Sequence, residues 1–364
     1  MQNYALQRVV RNGWNIPKNK VTSFNSMFNN CYRMCDLDMD FSGWCTSNTT
    51  AVSNMFVYCN NLIGPLNVSN WDVSNVTSMA SCFAHCYKLT KIIGLDTWTP
   101  ARKCQTVNNM FSTTSSLIQD IDLSNLEIGC GDVTNINVGS CVNDSGLTSL
   151  NISGWNLGNS VNGISFSGCR CFKGLIANNT VMPRYTNCTY IFHNTQLEHI
   201  YLEGIDFKTI AVQSNNFYQY FFSASSFLKR CEFVNCLFPD SSDFEIDDIT
   251  ANYGYLFYNC LLLEYLDVRD MDFGVFTNVY AHLWAFRSCP RLMHFYPPKN
   301  LHKNLNITGD YLLSHESLQR IIANLVDLSG QTSQNIAMGQ YNIDKLTQTD
   351  IDNIAAKNWT YSAS

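Results

Sequence analysis

Apolar and polar positions along this chain form a repeat. Ten times a Phe, in one case a Val, is followed three positions later by a small residue, and a short apolar alternation comes next. The anchors are Phe28, Phe56, Phe83, Phe111, Val138, Phe166, Phe192, Phe222, Phe257 and Phe286. Their small partners are Cys31, Cys59, Cys86, Thr114, Cys141, Cys169, Thr195, Ser225, Cys260 and Cys289. Successive anchors stand 26 to 35 residues apart, mostly 27 or 28. A fixed period of this size marks a solenoid, in which one unit cannot bury its apolar face without its neighbours.

Each unit resolves into two parts. After the anchor, Leu147/Leu150/Ile152, Leu197/Ile200/Leu202, Leu228/Cys231/Phe233 and Leu263/Leu266/Val268 end in a period-2 pair. Such a pair predicts a short strand with one buried face, and stacked units pair these strands into a parallel ladder. Before the anchor, stretches such as Val76-Thr77-Ser78-Met79-Ala80-Ser81-Cys82-Phe83 place apolar residues three and four apart. That spacing predicts a helical or 3₁₀ turn closing the other side. Equivalent side chains on neighbouring coils lie roughly 5 Å apart, so a small residue fits at the third position after the anchor. A free Cys there is a small hydrophobe with a weak S–H donor. Trp44, Trp71, Trp98 and Trp155 each fall fifteen to seventeen residues after an anchor, which marks a second, structural ladder.

The pattern changes near the C-terminus. Ser314 is placed to N-cap a helix with Leu318, Ile321, Ile322, Leu325 and Leu328 on one face, stopped by Ser329-Gly330. Thr349 is placed to cap a second helix carrying Ile351, Ile354 and Ala355 and ending near Asn358. The predicted fold is an α/β repeat solenoid, leucine-rich-repeat-like, with short parallel strands, helical or 3₁₀ turns and a small α-rich C-terminal cap. Its predicted divisions are a lead-in at 1–20, about ten repeat units at 21–298 and an α-rich unit at 299–364. That last unit either caps the exposed final strand or docks onto a partner.

The residues also carry a resemblance. Asn70-Trp71-Asp72-Val73-Ser74-Asn75-Val76-Thr77-Ser78-Met79, preceded by Met55-Phe56-Val57-Tyr58-Cys59, resembles the NWDVSNVTxMxxMFxxC pattern of BspA-like leucine-rich-repeat surface proteins. Met110-Phe111 and Asp132-Val133-Thr134-Asn135 repeat parts of it. The likeness is close over residues 20–156 and decays toward 298. The segment from Leu313 through Trp359 is similar to the tail of such proteins from gut bacteria and their phages. The resemblance implies adhesion or ligand binding and supplies no catalytic residue.

Composition narrows the function classes. Charged residues make up 14% of the 364 positions and the net charge is −6. Lys18/Lys20 and Arg102/Lys103 are isolated pairs, whereas a nucleic-acid footprint needs clustered Lys and Arg. No run of apolar residues is long enough to span a membrane. Met1 through Arg11 lacks the apolar core and cleavage site of a secretory leader. The sixteen Cys are placed by repeat register rather than as a disulfide framework, which predicts reduced, buried thiols. Cys31/Cys35, Cys82/Cys86 and Cys169/Cys171 lack the further ligands that structural zinc needs, so neither a metal nor a cofactor is expected. None of the seven His sits in a metal-binding spacing, and His85 and His193 are expected exposed in turns.

Two sets of surface residues remain. Asp36/Asp38/Asp40 and Asp120/Asp122 alternate with apolar residues, so each set shares a solvent face. They are acid/base candidates for a glycan-processing enzyme only if they line a closed groove. Farther along, the outward strand positions carry His199, Tyr201, Arg230, Tyr265, Asp267, His294 and Tyr296. Tyr and Arg are enriched in binding hot spots, which makes this row the candidate contact for a protein or glycan. Cross-strand stacking that only stabilises the sheet is the other explanation.

The expectation is a non-enzymatic binding or adhesion protein. The expected setting is a phage virion, as a receptor-binding or decoration protein recognising a bacterial surface protein or glycan. A bacterial cell-surface adhesin without its leader and a purely structural protein contacting other virion proteins are the alternatives. Neither nucleic-acid binding nor membrane insertion is expected.

Overall fold

The computed structural model describes residues 20–35, 39–181, 197–206, 222, 227–237, 256–275 and 285–364. Residues 1–19, Asp36, Asp38, Phe192, His193, Thr195, Ser225 and His282 lie outside them. The chain divides into two compact units, Met1–Arg184 and Tyr185–Ser364. Each is a stack of coils joined by parallel strands.

In the first unit the strands are β1 (Met39–Asp40), β2 (Leu66–Asn67), β3 (Ile92–Ile93), β4 (Asp120–Asp122), β5 (Ile136–Asn137), β6 (Ser149–Asn151), β7 (Ser160–Asn162) and β8 (Gly174–Val181). β1, β2 and β3 pair in parallel, with Met39, Leu66 and Ile92 in register. β4, β6 and β8 do the same through Ile121, Leu150 and Leu175. Single bridges join Ser23, Ala51, Ser78, Thr106 and Asn137 along a second line. Short strands suffice because every coil has a neighbour to complete its hydrogen bonds.

Of the helical or 3₁₀ turn predicted before each anchor, three-residue turn bonds form, as from Cys82 N to Met79 O and from Ala84 N to Ser81 O at 3.2 Å, but no α-helix. An α-helix would return each N–H to its own chain four residues back. Here the N–H groups of Met79, Ser81, Phe83 and His85 instead reach the next coil, donating to Thr106, Asn108, Met110 and Ser112 at 2.8–3.0 Å. Left-handed residues flank each anchor: Ser26/Asn30, Asn54/Tyr58, Ser81/His85 and Asn109/Thr113 have φ between 55° and 61°. They turn alternate peptides outward, which gives a stack of turns in place of a helix. Among the described residues, α-helix occurs only near the C-terminus.

The same ladder corrects one anchor. Phe111 and Thr113 donate to the carbonyls of Cys141 and Asn143, and the left-handed pair is Ser140/Asp144. Val142 therefore occupies the anchor site and Ser145 the small-residue site, four positions beyond Val138 and Cys141. Val138 matched the spacing, but this coil is longer and carries the extra strand β5.

Aromatic rings form the core. Phe28, Phe56, Phe83 and Phe111 stack with centroids 5.3, 5.9 and 5.6 Å apart. Trp71 and Trp98 stack at 5.5 Å. The indole N–H groups of Trp71, Trp98 and Trp155 donate to the carbonyls of Phe41, Val68 and Leu123 one coil earlier, at 2.9, 2.7 and 2.9 Å.

The thiols have a matching role. The S–H groups of Cys59, Cys86 and Cys169 donate to the anchor carbonyls of Phe28, Phe56 and Val142 at 3.1, 3.1 and 2.8 Å. In the second unit Cys260 and Cys289 do so to Phe222 and Phe257 at 3.3 and 3.1 Å. Each site therefore favours a small side chain that also donates. Thr114, at the same position, turns its hydroxyl instead to the anchor carbonyl of its own coil, Phe111 O, at 2.7 Å. The fifteen described cysteines are free thiols. Burial pushes Cys169 up to about 11 and Cys104 up to about 12, so these thiols stay protonated and inert.

The second unit holds β9 (His199–Asp206), β10 (Arg230–Val234), β11 (Tyr265–Asp267) and β12 (His294–Tyr296) as one parallel ladder. The segment predicted as α-rich carries strands as well as helices. β13 (Leu305–Asn306), β14 (Gln334–Ala337) and β15 (Trp359–Ser362) pair in parallel beside α1 (His315–Ala323), α2 (Gln340–Ile343) and α3 (Gln348–Ala356). The coiling thus continues through it, and the Trp359 indole donates to Val326 O at 2.8 Å as the earlier Trp residues do.

α1 is shorter than predicted. Ser314 caps it, accepting from Ser317 N at 3.1 Å, but the helix stops at Ala323 because Leu301 and Leu325 bridge in parallel. The Lys357 ammonium then collects the terminal carbonyls of Ile322, Ala323 and Leu325 at 2.8–3.0 Å. α3 is capped by Thr347 rather than Thr349, in a reciprocal box with Asp350. Both threonines have an Asp three residues on. His315 meets Asp350 at 2.7 Å from α1, a tertiary contact that favours the earlier cap.

Candidate functional site

Alternation along β9–β12 turns Ile200, Leu202, Cys231, Phe233, Leu266 and Phe295 into the core. The intervening side chains share the opposite face. The parallel register aligns them in two columns. His199, Arg230, Tyr265 and His294 form one, and Tyr201, Glu232, Asp267 and Tyr296 form the other. All seven candidate residues thus lie on one face, with His199 and His294 exposed and the others half-buried.

The columns are knitted together by arginines. The Arg230 guanidinium lies 3.8 Å over the Tyr265 ring and is paired with Glu232. Arg269 and Arg320 stand 4.2 and 3.9 Å from the centroid of Tyr296. Arg269 is held by Asp267, with Nε and Nη2 donating to the carboxylate at 2.5–3.1 Å, and Arg320 is paired with Glu316. Tyr265 and Tyr296 contact each other at 5.6 Å. Each exposed cation–π contact is worth about 0.5–1 kcal/mol, and each surface ion pair about 0–1 kcal/mol.

Arg269 and Arg320 are members that the strand alternation did not reveal. An Asp-x-Arg spacing at Asp267 is the only sequence signal for Arg269. Arg320 arrives from α1, which with its C-cap Asn324 runs along β12: Ser317 and Arg320 bond the Phe295 N–H and carbonyl, and Ser317 and Asn324 bond the flanking Met293 and Pro297 carbonyls.

The chemistry of this face is that of contact. Burial and the nearby Glu203, whose carboxylate accepts the Tyr201 hydroxyl at 2.9 Å, push Tyr201 up to about 12. Burial, followed by the Asp267 charge, also raises Tyr265. Ion pairing with Glu232 and Asp267 raises Arg230 and Arg269. The phenols therefore stay neutral and the guanidiniums charged at physiological pH. Both are fixed donors and ring faces rather than proton-transfer groups.

The acidic set in the first unit is engaged structurally. Asp120 accepts from the Thr148 and Ser149 hydroxyls at 2.6 and 2.7 Å, which hold it below the ordinary carboxylate range. Asp122 accepts from Ser124 N and Oγ in the turn after β4, as Asp40, Asn67 and Asn151 do in their coils. A general acid requires the opposite shift. Among the described residues no group of three or more His, Cys, Asp or Glu is placed to hold a metal ion, and no helix is long and apolar enough to cross a membrane.

A second aromatic row escaped the sequence pattern. Tyr58 and His85 stack at 4.3 Å in left-handed turn positions, flanked by Tyr32 and Tyr87. His85 is therefore half-buried rather than exposed, and burial lowers its pKa.

Residues 22–138 match the family described as "Mycoplasma protein of unknown function, DUF285". No curated protein matches the chain. Among solved structures, the crystal structure of the mouse RP105/MD-1 complex contains a similar chain at 13% identity and a TM-score of 0.37. That match covers 93% of this chain and 47% of the other, so this chain spans less than half the length of its structural match. The stacked parallel coils described above are those of a leucine-rich-repeat-like solenoid.

Proposed function

We propose that this protein is a non-catalytic recognition scaffold of BspA-like type. Its contact surface is the tyrosine–arginine face of β9–β12. The observation that carries this is the register: it aligns three tyrosines and two histidines on one face, where Arg230, Arg269 and Arg320 lie over Tyr265 and Tyr296 and are paired with Glu232, Asp267 and Glu316 before any partner arrives. Rings and charges already fixed lose little side-chain entropy on binding. A surface protein or glycan of a bacterial cell is the partner that this chemistry suits. The thiol-to-carbonyl bonds need reduced cysteines, which favours a virion protein assembled in a reducing cytoplasm over an exported adhesin. One observation favours a purely structural role instead: the guanidiniums already cover faces of Tyr265 and Tyr296.

The test is binding of the labelled chain to intact gut-bacterial cells, comparing wild type with a Tyr201→Ala/Tyr265→Ala/Tyr296→Ala variant. Binding is lost, while stability falls by only about 1 kcal/mol for each cation–π contact removed. Undiminished binding by the folded variant refutes the sheet-face assignment. Mass spectrometry of purified phage particles tests the virion setting.

A further inference from the structure

A second concave site lies away from the tyrosine face. After α1 the chain runs from the Leu301–Leu325 bridge to β14 through residues 326–333. This segment, residues 300–303 of the preceding coil and Gly274 of the one before line an open pocket of about 690 Å³. Pockets of roughly 300–1,000 Å³ are typical of small-molecule sites.

The lining divides by chemistry. Val326 and Leu328 give it an apolar patch, His302 and Lys303 supply cation-forming groups, and Gln331 and Thr332 add an amide and a hydroxyl. No Asp or Glu is among the described lining residues, although the whole chain carries a net charge of −6. The neighbouring acids are occupied. Asp272 accepts from Gly274 N and Asn300 Nδ2 at 2.7 and 2.8 Å, and Asp327 accepts from Ser329 N at 2.9 Å.

Several lining groups are committed to the fold, His302 among them, its Nδ1 3.1 Å from Asn300 O. Asn300 holds Asp272, and Gln334 Oε1 accepts from Asn304 N at 3.1 Å. By contrast, the side chains of Lys303, Gln331 and Thr332 make no hydrogen bond or ion pair to any described residue. Lys345 and Lys357, by contrast, are spent on backbone carbonyls. Lys303 is thus an ammonium on the pocket wall that no described group engages.

We propose that this pocket binds an acidic monosaccharide unit, a pyranose bearing one carboxylate. The ammonium of Lys303 takes the carboxylate, with His302 beside it. Gln331 and Thr332 hydrogen-bond the hydroxyls, and Val326 and Leu328 receive the C–H face of the ring. A neutral hexose lacks the charge-assisted bond, and an inorganic anion lacks the ring and its hydroxyls.

The experiment is a calorimetric and saturation-transfer NMR titration of the full chain with methyl glucuronide and with methyl glucoside. The uronide binds, and the neutral glycoside binds about tenfold more weakly or not at all, as loss of one charge-assisted bond predicts. Lys303→Gln removes that preference, and Gln331→Glu, which faces the ligand carboxylate with a second one, weakens uronide binding similarly. Both variants keep the wild-type unfolding midpoint, since neither residue's side chain bonds to the rest of the fold. Equal affinity for the two glycosides, no uronide binding at millimolar concentration, or unaltered binding by folded Lys303→Gln overturns the proposal. So does displacement of the uronide by equimolar inorganic phosphate. None of these outcomes bears on the tyrosine face, which the cell-binding assay tests separately.

Discussion

Replacing Cys86 separates the two requirements of the small-residue site, volume and a donor. Its side chain is fully buried and its thiol donates to Phe56 O at 3.1 Å. The same carbonyl also accepts Cys59 N at 3.1 Å, so losing the thiol does not orphan it. Cys86→Ala removes one buried heavy atom, worth about 1 kcal/mol of transfer and cavity energy, and a weak hydrogen bond worth about 0.5–1 kcal/mol. The expected loss is about 2 kcal/mol. Cys86→Ser leaves a similar small void but restores a stronger donor to the Phe56 carbonyl. Its expected loss is about 1 kcal/mol. Urea unfolding followed by fluorescence of the buried Trp71 and Trp98 reads both variants, provided the slope with denaturant is unchanged. If Ser is as costly as Ala, the donor contributes nothing and the site selects on size alone.

Two further outcomes follow from buried groups. Asp310 is fully buried, with Oδ1 accepting Cys289 N at 2.7 Å and Oδ2 unpaired, and burial raises its pKa well above 3.8. A raised folded-state pKa contributes stability below the unfolded value and loses it as pH rises. Asp310→Asn keeps an acceptor for Cys289 and cannot ionise, so it gains on wild type as pH rises toward neutrality. A pH series of urea midpoints checks this, and parallel wild-type and variant profiles refute it. In native iodoacetamide labelling read by mass spectrometry, exposed Cys35 and Cys130 react first, and buried Cys59, Cys82, Cys86 and Cys141 react only after unfolding. Uniform labelling of the native chain contradicts the thiol ladder.

Much of the scaffold was legible in the residues themselves. A period near 28 and a period-2 pair require only that apolar side chains face one interior, so Phe56, Phe83, Ile200 and Leu266 were placed inside by pattern alone. The same alternation put His199, Tyr201, Arg230, Tyr265, Asp267, His294 and Tyr296 on one outer face, because a strand has no other way to dispose of them. The pattern did not determine where each backbone N–H would go. A helical turn and a stacked turn bury the same side chains. The choice rests on an adjacent coil offering carbonyls to Met79, Ser81 and Phe83, which only the assembled stack supplies.

The other departures share that cause. Val138 and Val142 satisfy the local pattern equally, and hydrogen bonds from Phe111 and Thr113 select Val142. Leu325 continues the apolar face of α1 but is drawn into a bridge with Leu301, and His315 favours Thr347 over Thr349 as a cap. Arg320 reaches Tyr296 across 24 residues of chain, and the Lys303 pocket is lined by three successive coils. Period and burial specify the repeat, its inward and outward faces and its aromatic ladders. Register, helix ends, the arginine cover of the tyrosines and the pocket arise in the folded stack, because each depends on groups from separate coils meeting in space.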